Sequence, residues 1–312
     1  MTISRQGVAI LGVFVADLAF RAARLPAIGE TIIGSGFAVG PGGKGSNQAV
    51  AAARAGASVS FISRIGRDTF AELALKTWAA DGILPRVTQV ETPTGAAFIY
   101  VQETRGDNAI IIAPGAAGGI CAADVDAAAD AIRASRVFVT QLEQPVEAAR
   151  HALEIARSAG SITVFNPAPA VPFDDALYEL CDYVVPNETE AEALTGIAVS
   201  DLAGARRAGE VLLAKGAGTA LITLGERGAL LHSRGRSVHV PSFAAGKVVE
   251  TTGAGDAFVG GFAAALAGGA DPLDAARFGS ATAGISVTRP GTAPSMPRRA
   301  EIEALLKEQP AP

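Results

Sequence analysis

Short, unbroken apolar runs alternate along the chain with longer stretches in which apolar positions return every three or four residues. The runs at 8–15, 58–65, 137–140, 162–165, 183–186 and 220–224 predict buried strands. The stretches at 44–55, 69–80, 146–159 and 202–215 predict helices. This alternation predicts an α/β fold, with a mostly parallel central sheet flanked by helices on both faces. Two segments interrupt the pattern. Residues 19–39 and 87–112 are β-rich with little helical period, and strands at 94–101 and 109–112 are joined by Thr104-Arg105-Gly106-Asp107-Asn108, the chemistry of a hairpin turn. They predict a small β-sheet lid, formed by insertions at 18–40 and 87–113 within a single α/β domain spanning 1–312. A sheet this small needs its open face covered, which predicts a homodimer through the lid. From 253 to 287 the chain is small-residued and helical, with a break at Asp271-Pro272; 291–297 reads as a loop and 300–308 as a last helix.

Composition narrows the function. The 312 residues are 49% hydrophobic and 18% charged, the profile of a folded chain large enough to need no disulfide or metal for stability. Twenty-six basic residues against 31 acidic ones leave a net charge of −5, which argues against a nucleic-acid partner. Cys121 and Cys181 stand far apart, and His151, His232 and His239 are not near them. With no zinc spacing and no disulfide framework, a reducing, cytoplasmic setting is expected. His151 falls in a helix, and His232 and His239 flank a turn, so each reads as a surface or packing residue. The apolar stretch 257–270 is too short and glycine-rich to span a membrane. The run 8–16 could imitate a signal-peptide core, but has only Arg5 before it and ends at Asp17, so it reads as a first strand and no membrane partner is expected.

Two motifs carry chemistry. GPGGKGSNQ at 40–48 combines glycines that allow close backbone approach with the start of a helix, whose free N–H groups favour polar or anionic ligands. Asn47 and Gln48 add amides suited to hydroxyl groups. It is not a P-loop, because Gly45 follows Lys44 where Ser or Thr is required. A flexible turn with a C-cap glycine suits the same residues. ETTGAGDAF at 250–258 ends an extended segment and opens a helix, so the amides of Gly253, Ala254 and Gly255 can form an anion-holding nest. Asp256 would lie beside that anion. A carboxylate next to phosphate is repulsive, so a base accepting a proton from an attacking hydroxyl explains the placement. An aspartate favoured by the helix dipole is the bland alternative.

GGKGSNQ early and TTGAGDAF late together resemble the ribokinase-like (PfkB-type) sugar kinases. QLE at 141–143, NPAP at 166–169, PNETE at 186–190, TLGERG at 223–228, TRPG at 288–291 and PS at 294–295 continue the resemblance in order from about 8 to 305, most closely to the ribose-phosphorylating members. The resemblance implies an ATP-dependent phosphotransferase acting on the primary hydroxyl of a sugar, O5 of D-ribose. It implies that Asp17, Gly42, Gly43, Lys44, Asn47 and Glu143 bind the sugar. Asp256 would be the base, within an anion hole of Gly253, Ala254 and Gly255. Asn187 and Glu190 would position magnesium, largely through water, with Asn187 also at the nucleotide site. Thr223, Leu224, Gly225, Arg227 and Gly228 would border ATP, and Ser280 would lie near the adenosine. Glu250, Thr252, Ser286, Arg289, Gly291 and Ser295 match the positions of a monovalent-cation site, for potassium.

Several motifs begin where a strand ends, which places Asp17, Glu143, Asn187, Thr223 and Asp256 along one edge of the sheet. A helix cap with an acidic first turn suits 187–190 equally well. Two positions depart from the family. Glu250 stands where aspartate is usual, and Val15 stands where asparagine usually offers a hydrogen bond to the sugar. Valine cannot make that bond, so deoxyribose, fructose or a riboside stays open as substrate, and a sugar or nucleotide sensor without turnover is the rival of another class.

Overall fold

Strands and helices of the computed structural model, which describes residues 7–104 and 108–309, build two sheets. The strands are β1 (Val8–Leu11), β2 (Val15–Ala22), β3 (Gly36–Gly42), β4 (Val59–Ile65), β5 (Leu84–Gln89), β6 (Thr94–Gln102), β7 (Asn108–Gly115), β8 (Val137–Thr140), β9 (Ile162–Phe165), β10 (Tyr183–Val184), β11 (Thr219–Thr223), β12 (Ala229–Ser233) and β13 (Arg236–Val240). Nine of them form the main sheet in the order β13-β12-β11-β10-β9-β8-β1-β4-β5. From β11 to β5 all neighbours are parallel, and β12 and β13 add an antiparallel edge. The smaller sheet has the order β3-β2-β6-β7.

The helices are α1 (Lys44–Arg54), α2 (Thr69–Ala80), α3 (Ala122–Ala127), α4 (Ala129–Ala134), α5 (Val146–Ala159), α6 (Glu188–Thr195), α7 (Leu202–Ala214), α8 (Ala254–Ala267), α9 (Pro272–Ser286) and α10 (Arg299–Glu308). Successive side chains of a strand point to opposite faces, so a parallel strand buried on both sides feeds two cores. Val8 and Ile10 of β1 pack with residues of α1, α2, α8, α9 and α10, while Ala9 and Leu11 pack with those of α3, α5 and α7.

Close helix packing sets up the region of interest. A Cβ at Gly260 of α8 would come within 2.5 Å of both the Ala51 Cβ and the Gln48 carbonyl oxygen of α1. Only a bare backbone lets these helices approach so nearly, bringing the first turn of α8 against that of α1. Trp78 of α2 is fully buried and donates from Nε1 to Ser46 Oγ at 3.0 Å, pinning the start of α1 from the other side.

The structure corrects several expectations. The apolar run 8–15 is not one strand. β1 stops at Leu11, and Val15 already belongs to β2 in the smaller sheet. Uninterrupted hydrophobicity hides the crossover because residues 12–14 are buried too, with the Gly12 amide bonded to Ile62 O. Asp17 therefore lies on the smaller sheet and not at the end of a central strand. Residues 84–89, partly assigned to the lid, pair with β4 in the main sheet. β6 and β7 are antiparallel, as a hairpin requires, and Arg105, Gly106 and Asp107 of their turn lie outside the described residues. His232 and His239 lie on β12 and β13, either side of the turn between them, as expected from the sequence.

Candidate active site

Asp256 is in the first turn of α8, 6% exposed, with its carboxylate turned toward the start of α1. Asn47 donates from Nδ2 to Asp256 Oδ2 at 3.1 Å, and Gln48 from Nε2 to Oδ1 at 3.0 Å. Burial raises the Asp256 pKa, and the Lys44 charge and these two amides oppose the rise. Gly253, with φ of 80°, adopts the left-handed conformation that starts α8. The Ala254 amide donates to Thr251 O at 3.1 Å, the other amides of the first turn have no partner within the helix, and among the described residues no atom outside this stretch of helix lies within 4 Å of where a Cβ on Gly255 would be. This end of α8 is thus an open, electropositive face with a carboxylate beside it.

Behind Asp256 runs a chain of buried amides. Gln48 Nε2 also donates to Asn166 Oδ1 at 3.1 Å, Gln141 Nε2 donates to Gln48 Oε1 at 2.5 Å, and Asn166 Nδ2 donates to Val185 O at 2.7 Å. Each bond fixes which way the next amide faces, so Gln48 can only present N–H to Asp256. Among the described residues, Asn47 Oδ1 is buried without a hydrogen-bond partner.

Lys44 and Glu143 complete the floor. The Lys44 amide donates to Glu143 Oε2 at 2.8 Å. Burial lifts the Glu143 carboxyl to about 7 against the pull of Lys44. Burial opposes the Lys44 charge, yet the fields of Asp256, Glu143 and Glu190 outweigh it and raise its pKa. Asp17 is lifted to about 6, mainly by burial, with a hydrogen bond from Thr292 working against the rise and the charges of Asp256 and Glu250 adding to it. Gly42 lies directly over the Asp17 carboxylate. Lys44, Asn47, Glu143, Asp256, Asp17, Gly42 and Gly43 therefore lie close together where α1, α8 and the paired β2 and β3 meet.

Asn187 caps α6 reciprocally with Glu190: Asn187 N donates to Glu190 Oε2 at 2.9 Å, and Glu190 N to Asn187 Oδ1 at 2.8 Å. The helix-cap reading is the one these bonds show; burial raises the Glu190 pKa, and the Asn187 amide and the charge of Lys44 work against the rise. Thr223 ends β11, with its amide bonded to Pro186 O at 3.0 Å. The turn 224–228 follows, and Arg227 pairs with Glu188 at 3.3 Å. Gly228 packs on Pro241, whose carbonyl accepts from Ser280 Oγ at 3.0 Å. Ser280 is thus tied through Pro241 to the 224–228 turn, while Leu224 is 1% exposed and belongs to the hydrophobic core.

Glu250 joins two loops. Its amide bonds to Val287 O at 3.2 Å, and its Oε2 accepts from Gly291 N at 2.9 Å. Ser295 Oγ donates to Thr292 O at 2.7 Å, Ser286 Oγ donates to Ala283 O at 2.9 Å, and the Arg289 side chain pairs with Glu301. Thr252 sits half-buried just ahead of Gly253.

Thr292 was not singled out from the sequence. Its Oγ1 donates to Pro41 O at 3.0 Å and lies 3.5 Å from Asp17 Oδ2. A threonine in a Gly-Thr-Ala-Pro loop carries no distinguishing signal. Gln141 and Asn166 were quoted in motifs without a role. Their signal is that each is a polar amide directly after a short, mainly apolar strand run, β8 and β9.

A family model described as pfkB family carbohydrate kinase matches residues 5–299. The chain is similar to the ribokinase of Haemophilus influenzae, 40% identical over 307 residues covering 97% of this chain and 99% of that protein. It is also similar to the deoxyribokinase of Salmonella typhimurium, 38% identical over 295 residues, 93% and 95% of the two chains. Among solved structures, that of Arabidopsis thaliana ribokinase complexed with ribose and ATP superposes with a TM-score of 0.90 at 30% identity, covering 97% of this chain and 99% of that one. Among the described residues no helix is long and apolar enough to cross a membrane.

Proposed function

The chain belongs to the pfkB family of carbohydrate kinases, and from that premise we propose that it transfers the γ-phosphoryl group of ATP to O5 of D-ribose. The observation that carries this reading is the meeting of Asp256 with Asn47 and Gln48 beside the open first turn of α8. A base held by Gln48, the Asn47 amide and the N–H groups at the start of α8 converge there, as phosphoryl transfer to an alcohol requires. Asp17, Asn47 and Glu143 hold sugar hydroxyls. Asp256 accepts the O5 proton, O5 forms its bond to the γ-phosphorus in line, and the bond to the bridging oxygen of ADP breaks. Gly253, Ala254, Gly255 and the charge of Lys44 offset the negative charge on the transferred group. Thr223–Gly228 and Ser280 border the nucleotide.

Among the described residues no group of three or more His, Cys, Asp or Glu side chains is clustered as a protein-held metal would need. Asn187 Oδ1 and Glu190 Oε2 already accept amide hydrogen bonds. This fits magnesium held by phosphate oxygens and water, with Asn187 and Glu190 outside them, since the ion keeps much of its hydration. Bound with ATP, magnesium would neutralise phosphate charge. Glu250 Oε2 accepts from Gly291 N, which places its carboxylate at the 286–295 loop and suits a potassium ion there despite the longer side chain. The smaller sheet acts as a lid that excludes water, and its exposed face (Phe37 at 60% and Ile111 at 70%) is covered by a second copy of the chain.

One observation favours deoxyribose as an alternative acceptor. Val15 is 2% exposed and lies two residues from Asp17 on the same face of β2, so the side chain there offers apolar surface and no hydrogen bond. The test is ADP release with ribose, 2-deoxyribose, fructose and ribosides, with and without potassium. Ribose as the preferred acceptor supports the reading; no turnover with any of them refutes it.

A further inference from the structure

Arg54 stands at the last turn of α1, far along the helix from the glycine-rich turn, and belongs to none of the motifs. Its Nη1 lies 3.0 Å from Ala293 O, 3.2 Å from Pro294 O and 3.0 Å from Met296 O. Its Nε donates to Asp81 Oδ1 at 2.9 Å, at the end of α2, where the Asp81 side chain is only 3% exposed. Three carbonyls from four consecutive residues can meet one nitrogen only if the loop is curled around it. A guanidinium suits this task, because it is always charged and its planar fork serves a carboxylate on one side and the carbonyls on the other.

The same loop acts on the cleft with its opposite side. Thr292 reaches Pro41 O and the Asp17 carboxylate, Gly291 N reaches Glu250, and Ser295 Oγ closes back on Thr292 O. We infer that Arg54 is a positioning residue for the acceptor site: it curls 293–296 so that Thr292 is held against Asp17 and the β3 end at Pro41. The inference rests on the reading of Asp17 as a sugar ligand. Lysine at 54 keeps a charge facing Asp81, but its compact ammonium cannot also gather the carbonyls.

The test compares the wild type with Arg54→Lys, Asp81→Ala, Thr292→Val and Asp17→Asn by steady-state kinetics, and follows hydrogen exchange of the 291–296 amides. R54K is expected to raise the sugar KM about 5- to 10-fold, the equivalent of losing one hydrogen bond, and to leave the ATP KM within about twofold. The Ser295 and Met296 amides, bonded to Thr292 O and Ala293 O, are expected to exchange faster. T292V is expected to reproduce the rise in sugar KM, and D81A to give a smaller rise of about 2- to 3-fold by freeing Nε. An unchanged sugar KM in R54K alongside a raised one in D17N overturns the inference and leaves the role of Asp17 standing. Equal rises in both KM values also overturn it, because they report general loosening. If R54K does not fold, D81A and T292V decide: an unchanged sugar KM in both overturns it. An unchanged sugar KM in D17N refutes the role of Asp17, and the inference falls with it.

Discussion

A methyl group at position 42 would lie 2.1 Å from Oδ1 of Asp17, inside the carboxylate. The pairing of β2 with β3 brings the two segments together, and the bare glycine leaves the space that the carboxylate fills. Gly42→Ala must therefore expel Asp17 from its position. We expect the sugar KM to rise at least about 10-fold and stability to fall by about 1–3 kcal/mol, from overpacking. Kinetics and thermal denaturation measure the two effects, and an unchanged KM would mean that Asp17 does not contact the sugar.

Asp256→Asn places an amide opposite Gln48, which can only donate, and Asn47, whose amide nothing else among the described residues orients. Its oxygen can accept from Asn47 or Gln48 but not both, and it cannot take a proton. Phosphoryl transfer is expected to fall by about 10²- to 10⁴-fold, the typical share of a general base, while ATP still binds. Single-turnover kinetics with calorimetric titration of ATP separates the two, and near-normal turnover would remove Asp256 from the mechanism.

The raised carboxylates make two pH predictions. If ionised Asp17 and Glu143 bind sugar, kcat/KM for the sugar falls as pH drops through about 7 and then about 6. Stability moves the other way. A carboxyl whose folded-state pKa is raised binds more protons folded than unfolded, so its contribution to stability declines as pH rises from about 4 toward the folded value. Glu143→Gln should therefore gain stability over the wild type, on the order of 1 kcal/mol, between pH 5 and pH 8. The glutamine side chain of that variant can still accept from the Lys44 amide. Melting curves of both proteins across that range check the sign, and a constant difference would refute it.

Val15→Asn tests the acceptor. If ribose binds with one hydroxyl unpaired, the asparagine should improve its kcat/KM relative to 2-deoxyribose by about 5- to 150-fold, corresponding to about 1–3 kcal/mol for a buried group given a partner. An unchanged or reduced ratio, in competition assays with the two sugars, would mean that the pocket is shaped around valine.

Phe37→Glu and Ile111→Lys place charges on the exposed apolar face of the smaller sheet. Light scattering is expected to show a shift from dimer to monomer. A wild type that is already monomeric at micromolar concentration would reject the dimer.

Hydrophobic periodicity was enough to read the alternation of β4, α2, β8, α5, β9, α7 and β11, because each element buries a regular face. The motifs at 40–48 and 250–258 were legible for a related reason: glycines, amides and a carboxylate at helix starts suit few purposes other than holding a polar ligand. Local pattern could not show where the run at 8–15 passes from one sheet to the other, since both halves are buried and apolar. Nor could it show that Asp17 comes near Asp256 from the smaller sheet, or that the loop bearing Thr292 touches both Asp17 and Arg54. Those depend on contacts between residues more than two hundred positions apart, which only packing brings together. The approach of Gly260 to Gln48, and with it the bond from Gln48 to Asp256, exists because two helices with bare backbones can touch; the amino-acid order supplies the small residues, and the tertiary structure alone decides which surfaces meet.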